Sequence, residues 1–224
     1  MTDTASSTDK GLIRRFFGVP FRVQTYKNLV YLALGFPFGL VSFVTLTSGL
    51  TAGAGLSVTL IGIPILLATI AAGTALASVE AGLTRALVGV NASPPKAAAA
   101  VSNGTASDDD IMAAIKRFLA EPSTWTSLLV AFLWFIFGLV GFVALTTLSS
   151  LSLSMLGAPV LHLFAPGVDM MVGPYVVDTL SESAALTAVG IPLTLVSLHA
   201  LNALAYAFGR ITASLLNVGQ TAEN

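Results

Sequence analysis

From Asn28 to Val79 the chain carries no charged side chain. A helix needs about 20 residues to cross a hydrocarbon core of roughly 30 Å, so this run holds two crossings. The tract Ser48-Gly49-Leu50-Thr51-Ala52-Gly53-Ala54-Gly55 reads as the turn between them. That sets the first span near Leu29–Thr47 and the second near Leu56–Ser78, with Pro64 predicted to kink the second. Further apolar runs cover Trp125 to about Leu148 and about Ala184 to Phe208. All four are continuously apolar and lack the alternation of a barrel strand, which predicts an all-α membrane protein with four transmembrane helices. Leu151–Val168 is also uncharged, but Gly157, Pro159, Pro166 and alternating serines argue against a fifth straight helix. Ser149–Ser183 therefore reads as one large outer loop lying on or dipping into the membrane surface.

Composition agrees with this pattern. Of 224 residues, 55% are hydrophobic and 9% charged, whereas soluble domains carry about 25% charged residues. A soluble enzyme and a basic nucleic-acid binder are excluded, and the first partner is the lipid bilayer. The absence of cysteine rules out disulfides, thiolate metal sites and cysteine nucleophiles.

Charge then orients the spans. Lys10, Arg14, Arg15, Arg22 and Lys27 precede the first; Arg85, Lys96, Lys116 and Arg117 separate the second from the third; Arg210 follows the fourth. The positive-inside rule puts both termini and the central linker in the cytoplasm of a multi-pass cell-membrane protein. The first apolar run is too long for a cleavable signal peptide and has no small-residue cleavage site behind it.

The two halves match each other. At an offset of 99 residues, Phe36-x-Phe38-Gly39-Leu40-Val41-x-Phe43-Val44 aligns with Phe135-x-Phe137-Gly138-Leu139-Val140-x-Phe142-Val143. Gly62-Ile63-Pro64 returns as Gly190-Ile191-Pro192, and Ile13-Arg14-Arg15-Phe16-Phe17 as Ile115-Lys116-Arg117-Phe118-Leu119. The expected organisation is a cytoplasmic segment with a basic interfacial helix (1–24), a first two-helix repeat (25–90), a linker (91–110), a second two-helix repeat (111–218) with the loop insertion at about 149–183, and a tail (219–224). Two hairpins entering from one side make parallel repeats, related by an axis along the membrane normal. Ile111, Ile115, Phe118 and Leu119 form an apolar stripe that ends before Pro122, so Lys116 and Arg117, like Arg14 and Arg15, are expected to meet lipid phosphates at the interface.

Tyr31-Leu32-x-Leu34-Gly35-Phe36-Pro37-x-Gly39-Leu40, Gly62-Ile63-Pro64, Leu87-Val88-Gly89-Val90, Glu121-Pro122-Ser123-x-Trp125 and Val177-Asp178-Thr179 together resemble the prokaryotic putative sensor domain family. The resemblance covers about residues 12–218 and implies a four-helix membrane module of the kind often found before a histidine-kinase region. It carries over no catalytic residue. Only fourteen residues follow Arg210, so a stand-alone input module is expected, with a separate signalling partner such as a histidine kinase.

Candidate chemistry is sparse. His199 and Asn202 share a face of the fourth span; the sharper reading is a proton or ligand sensor, and the commoner one a neutral imidazole bonded to Asn202 or to a carbonyl. His162, Asp169, Asp178 and Glu182 in the outer loop are a candidate ligand site, although without compact metal-ligand spacing. Glu80 and Arg85, five residues apart, read as solvated interface residues. No Ser-His-Asp spacing, phosphate-binding glycine loop or buried acid pair appears, so neither enzyme activity nor a cofactor or metal is expected. Gly35-xxx-Gly39 and Gly73-xxx-Ala77-xxx-Ala81 can pack within one chain or across a homodimer. The reading from a different class is a small homo-oligomeric transporter or channel.

Overall fold

A computed structural model of the protein describes residues 17–59, 61–95, 120–165 and 170–221. Among them, four helices are long and apolar enough to cross a membrane: Val23–Gly55, Gly62–Val88, Pro122–Leu156 and Leu180–Asn217. In chain order the elements are α1 (Val23–Gly55), α2 (Gly62–Leu83) running into a π-helical turn at Thr84–Val88, α3 (Pro122–Leu156), the short α4 (Ala158–Phe164), β1 (Met170–Val172), β2 (Tyr175–Val177) and α5 (Leu180–Thr221). The strands pair antiparallel with Met171 opposite Val176, and Gly173 takes the left-handed φ of 62° that their turn requires.

The tract Ser48–Gly55 is helix, not turn. Gly49 and Gly53 lie four residues apart on one face of α1, and a Cβ there would stand 2.1 Å from Thr69 Oγ1 or 2.6 Å from Leu66 Cγ. These glycines admit α2 to close contact. The chain reverses after Leu56 instead, where Ser57–Thr59 form a 3₁₀ turn and the Gly62 N–H donates to Leu56 O at 3.1 Å. Pro64 consequently falls in the first turn of α2, where a missing N–H breaks no helical bond. The prolines inside helices are Pro37 in α1 and Pro192 in α5. The connection between the third and fourth spans is also shorter than expected: α3 continues to Leu156, α4 follows, and α5 already begins at Leu180.

The described residues gather into two units, one from Val143–Ala203 with the chain up to Tyr26, the other from Lys27–Phe142 with the chain after Leu204. In the first, the end of α3 meets the start of α5. Ser152 and Ser197 share a hydrogen bond of 3.3 Å, and the Thr187 hydroxyl donates to Met155 O at 3.2 Å.

In the second unit Ala77, Ala81, Ala92, Val130, Ala213 and Leu216 form a buried cluster. Small side chains let helices approach where lipid removes any hydrophobic drive to associate. Here α1 meets α3: a Cβ on Gly141 would reach Leu32, one on Gly138 Gly35, and one on Gly39 Trp134. Positions rise in α1 as they fall in α3, so the two helices lie antiparallel in this unit. The sequence leads one to expect parallel repeats about an axis along the membrane normal, whereas the contact seen in this unit is antiparallel. The glycines at 35, 39 and 138 permit backbone contact in this register, and Phe43 on Phe135 (4.6 Å) and Phe36 on Phe142 (5.0 Å) stack beside it.

Candidate functional site

The most unusual polar group in the described residues is one that sequence logic set aside. Glu80 is not solvated at an interface; its exposure is 0%. It sits on α2 between Ala77 and Ala81, on the small-residue face that packs closely. The Thr212 hydroxyl of α5 donates to Glu80 Oε1 at 2.7 Å, while Oε2 is buried with no hydrogen-bond partner.

Two further hydroxyls complete the cluster. Directly after α2, the π-helical turn holds Thr84 on the side of α1, and its Oγ1 donates to Tyr31 Oη at 3.5 Å. Single π turns inside helices recur at functional sites. Tyr31 lies beside both Glu80 and Thr212. The exposures of Tyr31, Thr84 and Thr212 are 4%, 0% and 1%, so four polar side chains from three helices share a closed environment. Buried polar groups normally find partners; among the described residues Oε2 lacks one, as do Ser42 Oγ and Glu121 Oε1, and of the two carboxyls Glu80 is the fully enclosed one. The turn ends at Gly89, whose φ of 76° lets the chain leave the helix there. Arg85, one residue past Thr84, is exposed.

The sequence-derived candidates fare differently. Asn202 donates from Nδ2 to Thr25 Oγ1 at 3.1 Å, and Thr25 in turn donates to Val19 O at 2.9 Å. The amide thus ties α5 to the entry of α1, and His199, half-buried, also has interactions of its own. His162 is exposed on α4. Glu182 accepts from the backbone N–H groups of Asp178 and Thr179 at 3.0 and 3.2 Å, while its own N–H donates to Thr179 Oγ1 at 3.3 Å. That reciprocal pattern is a capping box, with Thr179 the N-cap of α5. The carboxylate is therefore committed to starting a helix. No group of three His, Asp or Glu side chains able to hold a metal occurs among the described residues. Asp169, Arg14, Arg15, Lys116, Arg117 and the interfacial helices lie outside the described residues.

Tyr175 Oη also donates to Glu182, at 3.1 Å. That hydrogen bond, followed by the charge of Glu182, holds the phenol above its usual ionisation range. Glu182→Gln is expected to bring Tyr175 ionisation down toward the ordinary tyrosine value; absorbance of the phenolate during alkaline titration reads it, and an unmoved curve refutes the pairing.

Four long apolar helices, three of which supply a small buried polar cluster, mark a multi-pass helical membrane protein. A family model described as Putative sensor matches residues 31–216, and the chain belongs to that family. Comparison with curated proteins and with solved structures returned no match.

Proposed function

We propose that the protein is a signal-input module of the cell membrane that registers a condition at or beyond the bilayer and passes it to a separate partner such as a histidine kinase. Family membership across residues 31–216, on four membrane-length helices, carries this reading. In this role the chain acts by changing helix contacts and performs no reaction. The ten Lys and Arg, all placed before the first span, between the second and third, or after the fourth, support cytoplasmic termini.

The contacts between α1 and α3 support the internal repeat. Gly39 against Trp134–Phe135 becomes Gly138 against Gly35–Phe36 when both positions are exchanged at the offset of 99. Phe43 on Phe135 likewise becomes Phe36 on Phe142. A self-matching contact of this kind is what two copies of one hairpin produce when they meet face to face.

The test is a kinase reconstituted with and without this chain in the same nanodiscs. Autophosphorylation is expected to change by at least about twofold, roughly 0.4 kcal/mol in rate. A partner that binds without any change in rate, or no binding to any sensor kinase of the source cell, would sink the proposal.

A further inference from the structure

The structure assigns a second property to the cluster around Glu80, one that holds whether or not the module signals. We propose that Glu80 is a proton-binding site: with a proton on Oε2 the carboxyl stays buried and holds α5 through Thr212, and without it the contact between α2 and α5 opens.

Three observations carry this. The carboxyl is fully enclosed, and one oxygen has no hydrogen-bond partner. A charge in such a place is costly unless paired or bonded, and a neutral acid is the form that apolar surroundings accept. The elements packed around it supply no compensating cation among the described residues. α1 presents Tyr31; α3 has no titratable side chain and contributes Val130; the segment after α2 contributes Ala92; and α5 contributes Thr212, Ala213 and Leu216. Arg210 of α5 is exposed and stacks over Tyr206 at 5.1 Å, and Arg85 is exposed on the π-helical turn.

The fit favours a proton over a metal ion. A proton adds no volume, and the helices here already touch: a Cβ on Gly209 of α5 would stand 3.2 Å from Val88 Cγ1 and 3.3 Å from Thr84 Cγ2. The proton arrives from water and leaves to water. Once it has left, the carboxylate needs hydration, and the nearest way to admit water is to part α2 from α5 at the Thr212 bond.

A cysteine pair at Val88 and Gly209 reads this opening directly in the full chain, which has no cysteine of its own. The built Cβ of Gly209 lies 3.5 Å from Val88 Cβ, within the range of about 3.5–4.5 Å that a disulfide spans. Closure is timed in nanodiscs from about pH 6 to about pH 10, in the native background and in Glu80→Gln, whose neutral amide mimics the bound proton and cancels the pH dependence of thiol chemistry. The rate ratio, native over Glu80→Gln, is expected to fall from near one to about a third or less as pH rises; a constant ratio overturns the proposal. The infrared carboxylic C=O band needs no cysteines and covers the case in which the pair fails to fold. It is expected near neutral pH, absent from Glu80→Gln, shifted by Thr212→Val and retained by Glu121→Gln. Persistence of the band in Glu80→Gln, or its absence from the native chain at about pH 6, rejects the proton site. Neither readout involves a kinase, so failure here leaves the signalling proposal standing, and the converse also holds.

Discussion

Gly62→Ala is expected to open the turn between α1 and α2 and to cost about 3 kcal/mol of stability, at the upper end for overpacking. A Cβ at this position would stand 2.3 Å from Gly53 O, 2.3 Å from Ser57 N and 2.4 Å from Leu56 C. All three atoms are backbone, so no side-chain rotation relieves the clash, and the Gly62–Leu56 hydrogen bond of 3.1 Å has to break as the turn moves. Gly55→Ala is the matched control, since nothing lies within 4 Å of its built Cβ. It should fall within about 0.5 kcal/mol of the native protein, as unconstrained substitutions do. Unfolding in mixed micelles with a rising fraction of denaturing detergent measures both, and equal effects would remove the turn argument.

Asn91→Cys and Ala120→Cys are expected to react with a membrane-impermeant maleimide from the same face of sealed vesicles. The connection between them carries Lys96, Asp108, Asp109, Asp110, Lys116 and Arg117. Each such charge costs at least about 2.5 kcal/mol at the centre of a bilayer. The antiparallel contact of α1 with α3 makes the opposite demand, because two spanning helices laid that way enter from opposite faces. Labelling from one face gives charge precedence and supports the sidedness proposed above. Labelling from opposite faces gives packing precedence and reverses the sidedness proposed above. Val58→Cys, 92% exposed at the first turn, marks the face opposite Asn91 in either case.

The four helices were legible because lipid demands continuous apolar runs, and that demand is written residue by residue. Their ends were not. The run Gly49 to Gly55 has the composition of a turn, and only the presence of Thr69 and Leu66 opposite it reveals that the glycines serve contact. Glu80 was hidden for a related reason. Its spacing to Arg85 says nothing about enclosure, which depends on Thr212, 132 positions further along the chain. A signal was nonetheless present: Glu80 lies within the small-residue series Gly73-xxx-Ala77-xxx-Ala81, and an acid on a close-packing face is hard to reconcile with water. The capping box at Thr179-x-x-Glu182 was likewise readable, and noticing it would have removed Glu182 from the ligand candidates.

The hydroxyls along α2 have a mechanical consequence. Thr69 donates to Ile65 O at 2.7 Å, Thr74 to Ile70 O at 2.8 Å and Ser78 to Thr74 O at 2.9 Å, each within the helix itself. Groups already occupied at home offer their neighbours no hydrogen bond, so this length of α2 is held against them by close packing alone. Among the described residues, α2 and the π-helical turn after it bond other helices through Thr84 with Tyr31 and Glu80 with Thr212. α2 is therefore a rod pinned near one end, and releasing one proton would loosen the pin.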